Sequence, residues 1–278
     1  MSFSADWLSL REPADHAARA SGLLRAVSRH FAAREKLAIV DLGCGTGSNL
    51  RGTAAALPAR QHWRLIDHDP ALLAAARARL AAWADTAQDD AAALELTKAG
   101  KSLRVTFAQA DLAGDLGAII GADADLVTAA ALFDLVSAGW IERFVTRLAA
   151  RRLPLYTVLT YDGSEHWTPP HPADAAMLAA FHAHQGTDKG FGPAAGPAAG
   201  GLMAAAFARA GYRVEEAASP WRIGPDMAAL AAELAAGLAA AVAETGRLAP
   251  ATVADWLAAR RRGVSCMVGH RDLFARPG

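Results

Sequence analysis

Cysteine and net charge are both scarce in this chain of 278 residues. The two cysteines, Cys44 and Cys266, are too few for a disulfide framework and are not spaced like metal ligands. Lys and Arg number 28 and so do Asp and Glu, which gives none of the basic excess typical of nucleic-acid-binding proteins. We therefore expect no disulfide, no metal site and no nucleic-acid partner.

Long uncharged apolar runs are also missing. No run reaches the roughly 20 residues that a membrane span needs, because Glu233 and Gly237 interrupt the alanine-rich segment near 228–243. The first residues lack the basic and apolar segments of a secretory signal. With 53% hydrophobic residues the chain can bury a sizeable core. These features predict a cytoplasmic protein without a membrane partner, as a monomer or homodimer.

Short apolar runs alternate with segments of helical periodicity, which favours a parallel sheet covered by helices on both faces. The strands are expected at 37–40, 63–66, 103–107, 125–128, 155–161, 212–214 and 264–274. The helices are expected at 14–33, 48–57, 70–80, 138–150, 173–184, 201–210, 226–244 and 251–262. Residues 84–100 are expected to form an excursion or a loosely packed helix, and 162–172 a loop.

A glycine-rich turn joins the first predicted strand to the following helix. Gly43, Gly45 and Gly47 let the chain turn sharply and let its backbone approach a ligand closely. The helix that follows points its N–H groups at the carboxyl ends of the strands. Asp67 ends the second strand, where a carboxylate can accept hydrogen bonds from both ribose hydroxyls. The pattern predicts a site for a nucleotide-like cofactor.

The glycine spacing separates two cofactor classes. Dinucleotide-binding proteins carry GxGxxG or GxGxxA, whereas this chain has a five-residue GxGxG with Ser48 at the place of the third small residue. No Lys-Ser or Lys-Thr pair follows, so a phosphate-binding loop of the Walker type is not indicated. An NAD(P)-dependent oxidoreductase remains an alternative.

Four segments together resemble the motifs of class I S-adenosylmethionine-dependent methyltransferases. They are Val40–Gly47 as the first motif, Leu65–Pro70 as the second, Phe107–Leu112 at the end of the third strand and Asp125–Phe133 at the fourth. The resemblance covers about residues 35–215 in the right order. It implies an α/β, Rossmann-like fold with a seven-stranded, mostly parallel sheet, helices on both faces and a helical cap.

The resemblance also implies the cofactor, S-adenosyl-L-methionine, and the product, S-adenosyl-L-homocysteine. It places the glycines around the methionine and ribose portions, Asp41 at the loop and the methionine ammonium, Asp67 at the ribose, and Asp111 and Leu112 at the adenine. The implied cofactor site consists of Asp41, Gly43, Cys44, Gly45, Thr46, Gly47, Asn49, Asp67, His68, Asp111, Leu112, Ala129 and Ala130.

The acceptor side is harder to identify. A sulfonium is already a good leaving group, so alignment supplies most of the rate, and a base is needed only for a protonated nucleophile. Asp134 either orients or deprotonates the acceptor or caps the next helix, and His166 or Glu165 is a second candidate base. Further substrate-side candidates are Trp7, Arg11, Phe133, Tyr161, Trp167, Trp221 and Arg222.

These inferences describe a single methyltransferase domain over 1–278, with a core at about 35–161, 201–219 and 264–275. Cap elements are expected at about 1–33, 162–190 and 226–262, and residues 186–200 are a candidate mobile lid. The expected reaction is methyl transfer to a small molecule by in-line displacement at the sulfonium methyl. Besides the oxidoreductase, a non-catalytic cofactor-binding module on the same fold remains open.

Overall fold

A computed structural model describes residues 3–90, 92–114, 116–261 and 264–278. Its helices are α1 (Ala5–Ala18), α2 (Ser21–Phe31), α3 (Ser48–Thr53), α4 (Pro70–Trp83), α5 (Leu116–Ile120), α6 (Ala138–Ala150), α7 (Asp174–Gln185), α8 (Ala199–Arg209), α9 (Ala228–Thr245) and α10 (Pro250–Ala259). Its strands are β1 (Lys36–Leu42), β2 (Arg60–Asp67), β3 (Thr86–Asp89), β4 (Leu94–Lys98), β5 (Lys101–Gln109), β6 (Leu126–Ala130), β7 (Leu155–Thr168), β8 (Tyr212–Ala218), β9 (Trp221–Ile223) and β10 (Ser265–Pro277).

The strands form one sheet in the order β3-β4-β5-β2-β1-β6-β7-β10-β8, and β9 pairs with β10. The five central strands from β5 to β7 are parallel. β10 pairs antiparallel with both β7 and β8. The predicted Rossmann-like α/β fold is confirmed. The strand count of seven was too low, because in the described residues the β3–β4 hairpin and the short β9 bring the number to ten.

Alternate side chains of β1 enter two separate cores. Leu37 and Ile39 pack in one cluster with α2, α7 and α9, while Val40 and Leu42 pack in the other with α6 and α8. A strand buried on both faces reads as a continuous apolar run, and this run ends at Asp41 and the glycines. The sheet is therefore covered on both faces, and its carboxyl edge remains free to form a site.

The single helix predicted at 14–33 is wrong, because two helices occupy this region. α1 begins at Ala5, where the Ser4 side chain accepts a hydrogen bond from the Trp7 amide, and it ends at Ala18. Arg19 and Ala20 are extended. The Ala20 amide donates to Asp272 Oδ2 at 2.8 Å, so a contact 252 residues away fixes the break.

The excursion or helix predicted at 84–100 is an antiparallel hairpin, in which β3 pairs with β4 and β4 with β5. The exposed β3 carries no alternating apolar pattern, so tertiary pairing decides its conformation.

The loop predicted at 162–172 is also wrong in its first half. β7 continues to Thr168 because the first half of β10 pairs with it, from Ser265 opposite Thr168 to Val268 opposite Glu165. Residues 162–168 therefore belong to the sheet and not to the cap.

One helical segment, Pro225–Thr245, is long and apolar enough by length and composition to cross a membrane, with a mean hydropathy of 1.6 over its best window. A third of that window is buried inside the protein. Leu230, Leu238 and Val242 face the core, while Glu233 and Glu244 are exposed.

Candidate functional site

A cavity of about 480 Å³ opens at the carboxyl ends of β1, β2 and β6. This is the position where open α/β sheets bind their ligands. Most of the cofactor residues implied by the sequence line it, namely Gly43, Cys44, Gly45, Thr46, Asn49, Asp67, His68, Asp111, Leu112 and Ala130.

The glycine loop forms the floor of the cavity. Gly43, Gly45 and Gly47 have φ values of 62°, 53° and 77°, a region that side chains other than glycine adopt at a cost. A Cβ on Gly45 would lie 2.9 Å from Leu8 Cδ1, so α1 rests directly on the loop. Gly47 does not line the cavity but starts α3 as its N-cap residue.

Asp67 connects this loop to the end of β2. Its Oδ2 accepts from the Gly45 amide at 2.9 Å and its Oδ1 from the Asp69 amide at 3.1 Å. The carboxylate is held in one orientation and still lines the cavity, so its remaining lone pairs are available to hydroxyl donors.

Asp41 lies behind the cavity and does not line it. Its Oδ1 accepts from Asn49 Nδ2 at 2.6 Å and from Thr128 Oγ1 at 2.8 Å, which ties β1 to α3 and β6. Burial, offset in part by these hydrogen bonds, raises the pKa of Asp41 to about 6. These hydrogen bonds agree with the prediction that Asp41 helps to hold the glycine loop. Ala129 is likewise buried behind the wall.

At the opposite end of the cavity, Asp111 and Leu112 follow β5. Asp111 Oδ1 accepts from the Ala113 amide at 2.9 Å, and Trp140 Nε1 donates to the Leu112 carbonyl at 2.8 Å. Phe191 lines the cavity and packs edge-on against Trp140, with the ring centroids 5.9 Å apart. Asp111 therefore lines the cavity together with the apolar side chains of Leu112 and Phe191.

One face of α1 and its C-cap covers the cavity with Leu8, Arg11, Asp15 and Arg19. Of these four residues, only Arg11 was predicted from the sequence. Their spacing of three and then four residues places all four side chains on one helical face. The shared face can be recognised in the sequence only if α1 is taken to begin at Ala5.

Arg19 is the most informative residue on this face. It is 9% exposed, and its Nη1 donates to Thr53 Oγ1 at 2.9 Å. Its Nε is buried without a hydrogen-bond partner, and so is the hydroxyl of Thr46, another residue that lines the cavity. An unpaired buried guanidinium N–H is costly, so this corner of the cavity suits an anionic group.

Three of the acceptor-side candidates, Trp221, Tyr161 and Asp134, do not line the cavity, whereas Arg11 does. Trp221 Nε1 donates to Asp15 Oδ1 at 3.0 Å, and Arg11 lies over the Trp221 ring at 4.9 Å. Tyr161 Oη is hydrogen-bonded to His182 Nε2 at 3.0 Å. Asp134, on the turn after β6, accepts from Gln185 Nε2 at 3.2 Å. Burial raises the pKa of Asp134 to about 6.

A second group of candidates lies away from the cavity. Trp167 donates to Glu165 and packs edge-on against Trp256 of α10, with the ring centroids 5.5 Å apart. Burial raises the pKa of Glu165 to about 7, but the pair packs against the cap helices, so its predicted acceptor role is not supported.

The remaining candidates are also corrected by their positions. His166 in β7 and Arg222 in β9 are exposed on either side of β10, where both are opposite Met267, and do not line the cavity. Phe133 is fully buried between Trp140 and Phe144, and Trp7 packs at the edge of the core. None of these four can touch a ligand in the cavity.

Among the described residues, no three His, Cys, Asp or Glu side chains are grouped as a metal site requires. Three of the histidines have hydrogen-bond partners in the protein. His171 is bonded to Asp255 and accepts from the Ala173 amide, His182 is bonded to Tyr161, and His184 is bonded to Glu244.

Residues 186–200, the candidate lid, fold over the cavity mouth. Lys189, Gly190 and Phe191 line it. The Ala195 amide donates to the Val136 carbonyl at 2.8 Å, and Asp188 Oδ1 accepts from the Gly190 and Gly192 amides. The segment is therefore ordered by its own turns and anchored beside the turn that carries Asp134.

Comparison with known proteins agrees with this geometry. Residues 39–110 match a family model described as a methyltransferase domain; this is about a quarter of the chain and contains the glycine loop and Asp67. No curated protein matches the sequence significantly.

Among solved structures, the fold is similar to a cyclopropane-fatty-acyl-phospholipid synthase-like protein from Lactobacillus casei ATCC 334. The TM-score is 0.53 at 17% identity, over 98% of this chain and 94% of the other. The cyclopropane synthase MmaA2 from Mycobacterium tuberculosis gives a TM-score of 0.50 at 12% identity, over 99% and 95%. At these identities the likeness concerns the fold alone. Residues 39–110 therefore match the methyltransferase-domain family, and the fold of the whole chain is similar to that of these two structures.

Proposed function

We propose that this protein transfers the methyl group of S-adenosyl-L-methionine to a small-molecule acceptor, leaving S-adenosyl-L-homocysteine. The observation that carries the proposal is the cavity at the carboxyl edge of the sheet, which Asp67, Asp111 and Arg19 all line. Ribose hydroxyls, an adenine amine and an amino-acid carboxylate are the complementary groups.

Two kinds of feature suit the cofactor: buried donors without hydrogen-bond partners, and a glycine at a position where a side chain would not fit. The buried Nε of Arg19 and the hydroxyl of Thr46 lack partners, and both are donors of the kind that a carboxylate accepts from. The left-handed Gly45 leaves room that a Cβ would fill, beneath Leu8. In this assignment Arg19 holds the methionine carboxylate, Asp67 the ribose and Asp111 the adenine amine.

Bound S-adenosylmethionine supplies an electrophilic methyl carbon on a sulfonium leaving group. The protein aligns the partners and excludes water: α1 closes one side of the cavity through Leu8 and Arg11, and Phe191 closes the other. Alignment of this kind supplies most of the acceleration when the leaving group is already good. The nucleophile has to approach from the side away from the sulfur.

A small acceptor is favoured by the size of the cavity. A volume of about 480 Å³ is typical for one drug-sized ligand, so the cofactor leaves room for only a small partner while residues 186–200 cover the mouth. The balanced charge argues against a nucleic-acid acceptor, and we place the protein in the cytoplasm, without a membrane partner and as a monomer or homodimer.

Titration calorimetry with S-adenosylhomocysteine tests the proposal. We expect binding by the wild type and at least 100-fold weaker binding by Asp67→Ala, because the substitution removes two hydroxyl contacts and the anchor of the Gly45 amide. The exposed Asp226→Ala is the matched control and should bind as the wild type does.

The same experiment separates the alternatives. Binding of NAD(P) without binding of S-adenosylhomocysteine would establish the oxidoreductase instead. Binding of S-adenosylhomocysteine without turnover of a methyl-labelled donor in a small-molecule extract would establish a non-catalytic module.

A further inference from the structure

One lysine lines the cavity without an opposite charge beside it. Lys189 is half-buried and belongs to the segment that covers the cavity mouth. Its Nζ donates to the Thr187 hydroxyl at 2.9 Å and to the His184 carbonyl at 3.3 Å. Both partners are neutral oxygens, and within the described part of the chain no Asp or Glu forms an ion pair with this ammonium. Because an ammonium has three N–H donors, one donor and the full charge of Lys189 remain available to a ligand.

A closed turn holds this lysine in position. Asp188 and Pro193 form an isolated antiparallel bridge, so residues 189–192 are the tip of the turn. Asp188 Oδ1 accepts from the amides of Gly190 and Gly192 at 2.7 and 2.9 Å, which uses this carboxylate to fix the backbone of the tip. Together with the two hydrogen bonds of its ammonium, the turn limits the freedom of Lys189. A ligand that binds to it therefore has less ordering entropy to overcome.

The covering segment lies beside the turn that follows β6. Ser137, which follows this turn, forms an isolated antiparallel bridge with Ala194, and the turn contributes Leu132 and Leu135 to the lining of the cavity. The groups assigned above to the carboxylate, ribose and adenine of the cofactor come from the end of α1, from β2 and from the segment after β5. The charge of Lys189 is thus supplied by an element that holds none of them.

The other charged groups on the acceptor side are already compensated within the protein. Arg11 and Asp15 also line the cavity, but they form an ion pair through hydrogen bonds of 3.0 to 3.2 Å. Asp134 does not line the cavity, and its carboxyl is held by two backbone amides and by Gln185. A cationic acceptor would therefore find no free carboxylate on this side, whereas an anionic acceptor finds a free ammonium.

Much of the remaining lining is apolar. It is formed by Phe3, Leu8, Leu132, Leu135 and Phe191. Apolar walls with a few placed polar groups are the usual form of a small-molecule site. A hydrated inorganic anion gains nothing from such walls, whereas the carbon skeleton of an organic anion is removed from water against them. The lining therefore favours an organic molecule that carries one anionic group.

We propose that Lys189 binds an anionic group of the methyl acceptor, a carboxylate or a phosphate, and thereby selects small organic anions over neutral and cationic molecules. This inference rests on the proposed methyl transfer and names its substrate class. Lys189 determines specificity and takes no part in bond making: its ammonium donates to the anionic group and holds that end of the acceptor. A hydrogen bond of this charge-assisted kind contributes a factor of about 10 to 100 in affinity.

The test uses the donor with a deuterated methyl group. A small-molecule extract of the source organism is separated by ion exchange into anionic, neutral and cationic fractions, and each fraction is incubated with the wild type. Mass spectrometry then detects the labelled products, which we expect in the anionic fraction. Treatment of that fraction with alkaline phosphatase before the incubation distinguishes the two sources of charge. It abolishes the labelling of a phosphate ester and leaves the labelling of a carboxylate unchanged.

The labelled fraction then serves as the acceptor for three variants. Lys189→Met removes the charge and keeps an apolar chain, so the KM for the acceptor should rise about tenfold or more while kcat changes little. Lys189→Arg keeps the charge and should stay close to the wild type. The control is Lys36→Met, exposed at the start of β1 and so at the opposite edge of the sheet. Added salt should raise the KM of the wild type and leave that of Lys189→Met nearly unchanged, because salt screens an exposed charge.

Calorimetry with S-adenosylhomocysteine completes the test. Lys189→Met should bind it as tightly as the wild type does, which also shows that the variant is folded; a loss comparable to the expected rise in KM would assign Lys189 to the cofactor and overturn the inference. Label in the neutral or cationic fraction, or a wild-type KM in Lys189→Met, overturns it as well, while methyl transfer itself stands. The absence of label from every fraction instead refutes the proposed methyl transfer.

Discussion

The two sides of the cavity are built in different ways. On the cofactor side, contiguous segments at the ends of β1, β2 and β5 supply backbone amides, glycines and single aspartates. The candidate acceptor side is assembled from five separate elements, α1, the turn after β6, β7, α7 and β9, which supply Arg11, Asp134, Tyr161, Gln185 and Trp221. Of these residues only Arg11 lines the cavity. A site made of local segments is readable from sequence, whereas a site made of distant side chains depends on the folded chain.

The substitution that should weaken cofactor binding most is one at a glycine of the loop on the cofactor side. In Gly45→Val the new side chain meets Leu8, 2.9 Å from the Cβ position, at a φ of 53° that a β-branched residue avoids. We expect S-adenosylhomocysteine binding to become undetectable by calorimetry. Gly201→Ala, in α8 and with open space around its Cβ, is the control; equal behaviour of the two variants would contradict the close approach of α1 to the loop.

The cofactor motifs could be predicted because each is local. The GxGxG turn follows directly after a buried strand, and Asp67 and Asp111 each stand at the end of a strand. Each feature can therefore be recognised from a few consecutive residues. Arg19 was missed because its position depends on the break after α1, which Asp272 sets through the Ala20 amide. β7 was cut short at Tyr161 because its extension depends on pairing with Ser265–Val268, about a hundred residues away.

On the acceptor side we expect the largest effects from changes of charge, whereas on the cofactor side we expect them from changes of shape. The pKa of Asp134 is raised from 3.8 to about 6 in the folded protein, so the folded state binds the proton more tightly than the unfolded chain does. Ionisation therefore destabilises the wild type as the pH rises from about 4 to 6. The cost above pH 6 is about 3 kcal/mol at most.

Asp134→Asn has no such ionisation, so its stability relative to wild type should increase across this window and stay constant above it. Urea unfolding at pH 4, 6 and 8 measures the difference. Asp41, whose pKa is raised by burial in the same way, is present in both proteins and cancels. A stability difference that is the same at all three pH values would show that the pKa of Asp134 is not raised in the folded protein, and the predicted contrast with the cofactor side would be wrong.

Arg19 belongs to both descriptions. It lines the cavity from the end of α1, as Arg11 does from within that helix, yet we assign it to the methionine carboxylate of the cofactor. A charge-assisted hydrogen bond is worth about 1.5–3 kcal/mol, so Arg19→Ala should weaken S-adenosylhomocysteine binding roughly 10- to 100-fold. Methylthioadenosine has no carboxylate, and its affinity should be unchanged. An equal loss for both ligands would indicate that the substitution damages the fold of α1 and not a carboxylate contact.

Substitution of Trp140 should give the smallest effect. Unlike Arg19→Ala, it should weaken the binding of both ligands equally. Its Nε1 donates to the Leu112 carbonyl at 2.8 Å, and its ring stacks on Phe144, with the centroids 5.1 Å apart. Trp140→Phe keeps most of the apolar volume and removes one hydrogen bond, a loss of about 1 kcal/mol. Because both ligands share the adenosine, S-adenosylhomocysteine and methylthioadenosine should weaken equally, by about three- to tenfold. If Trp140→Phe instead affected only S-adenosylhomocysteine, the adenine would have to lie at the Arg19 end, and the assigned direction of the cofactor in the cavity would be reversed.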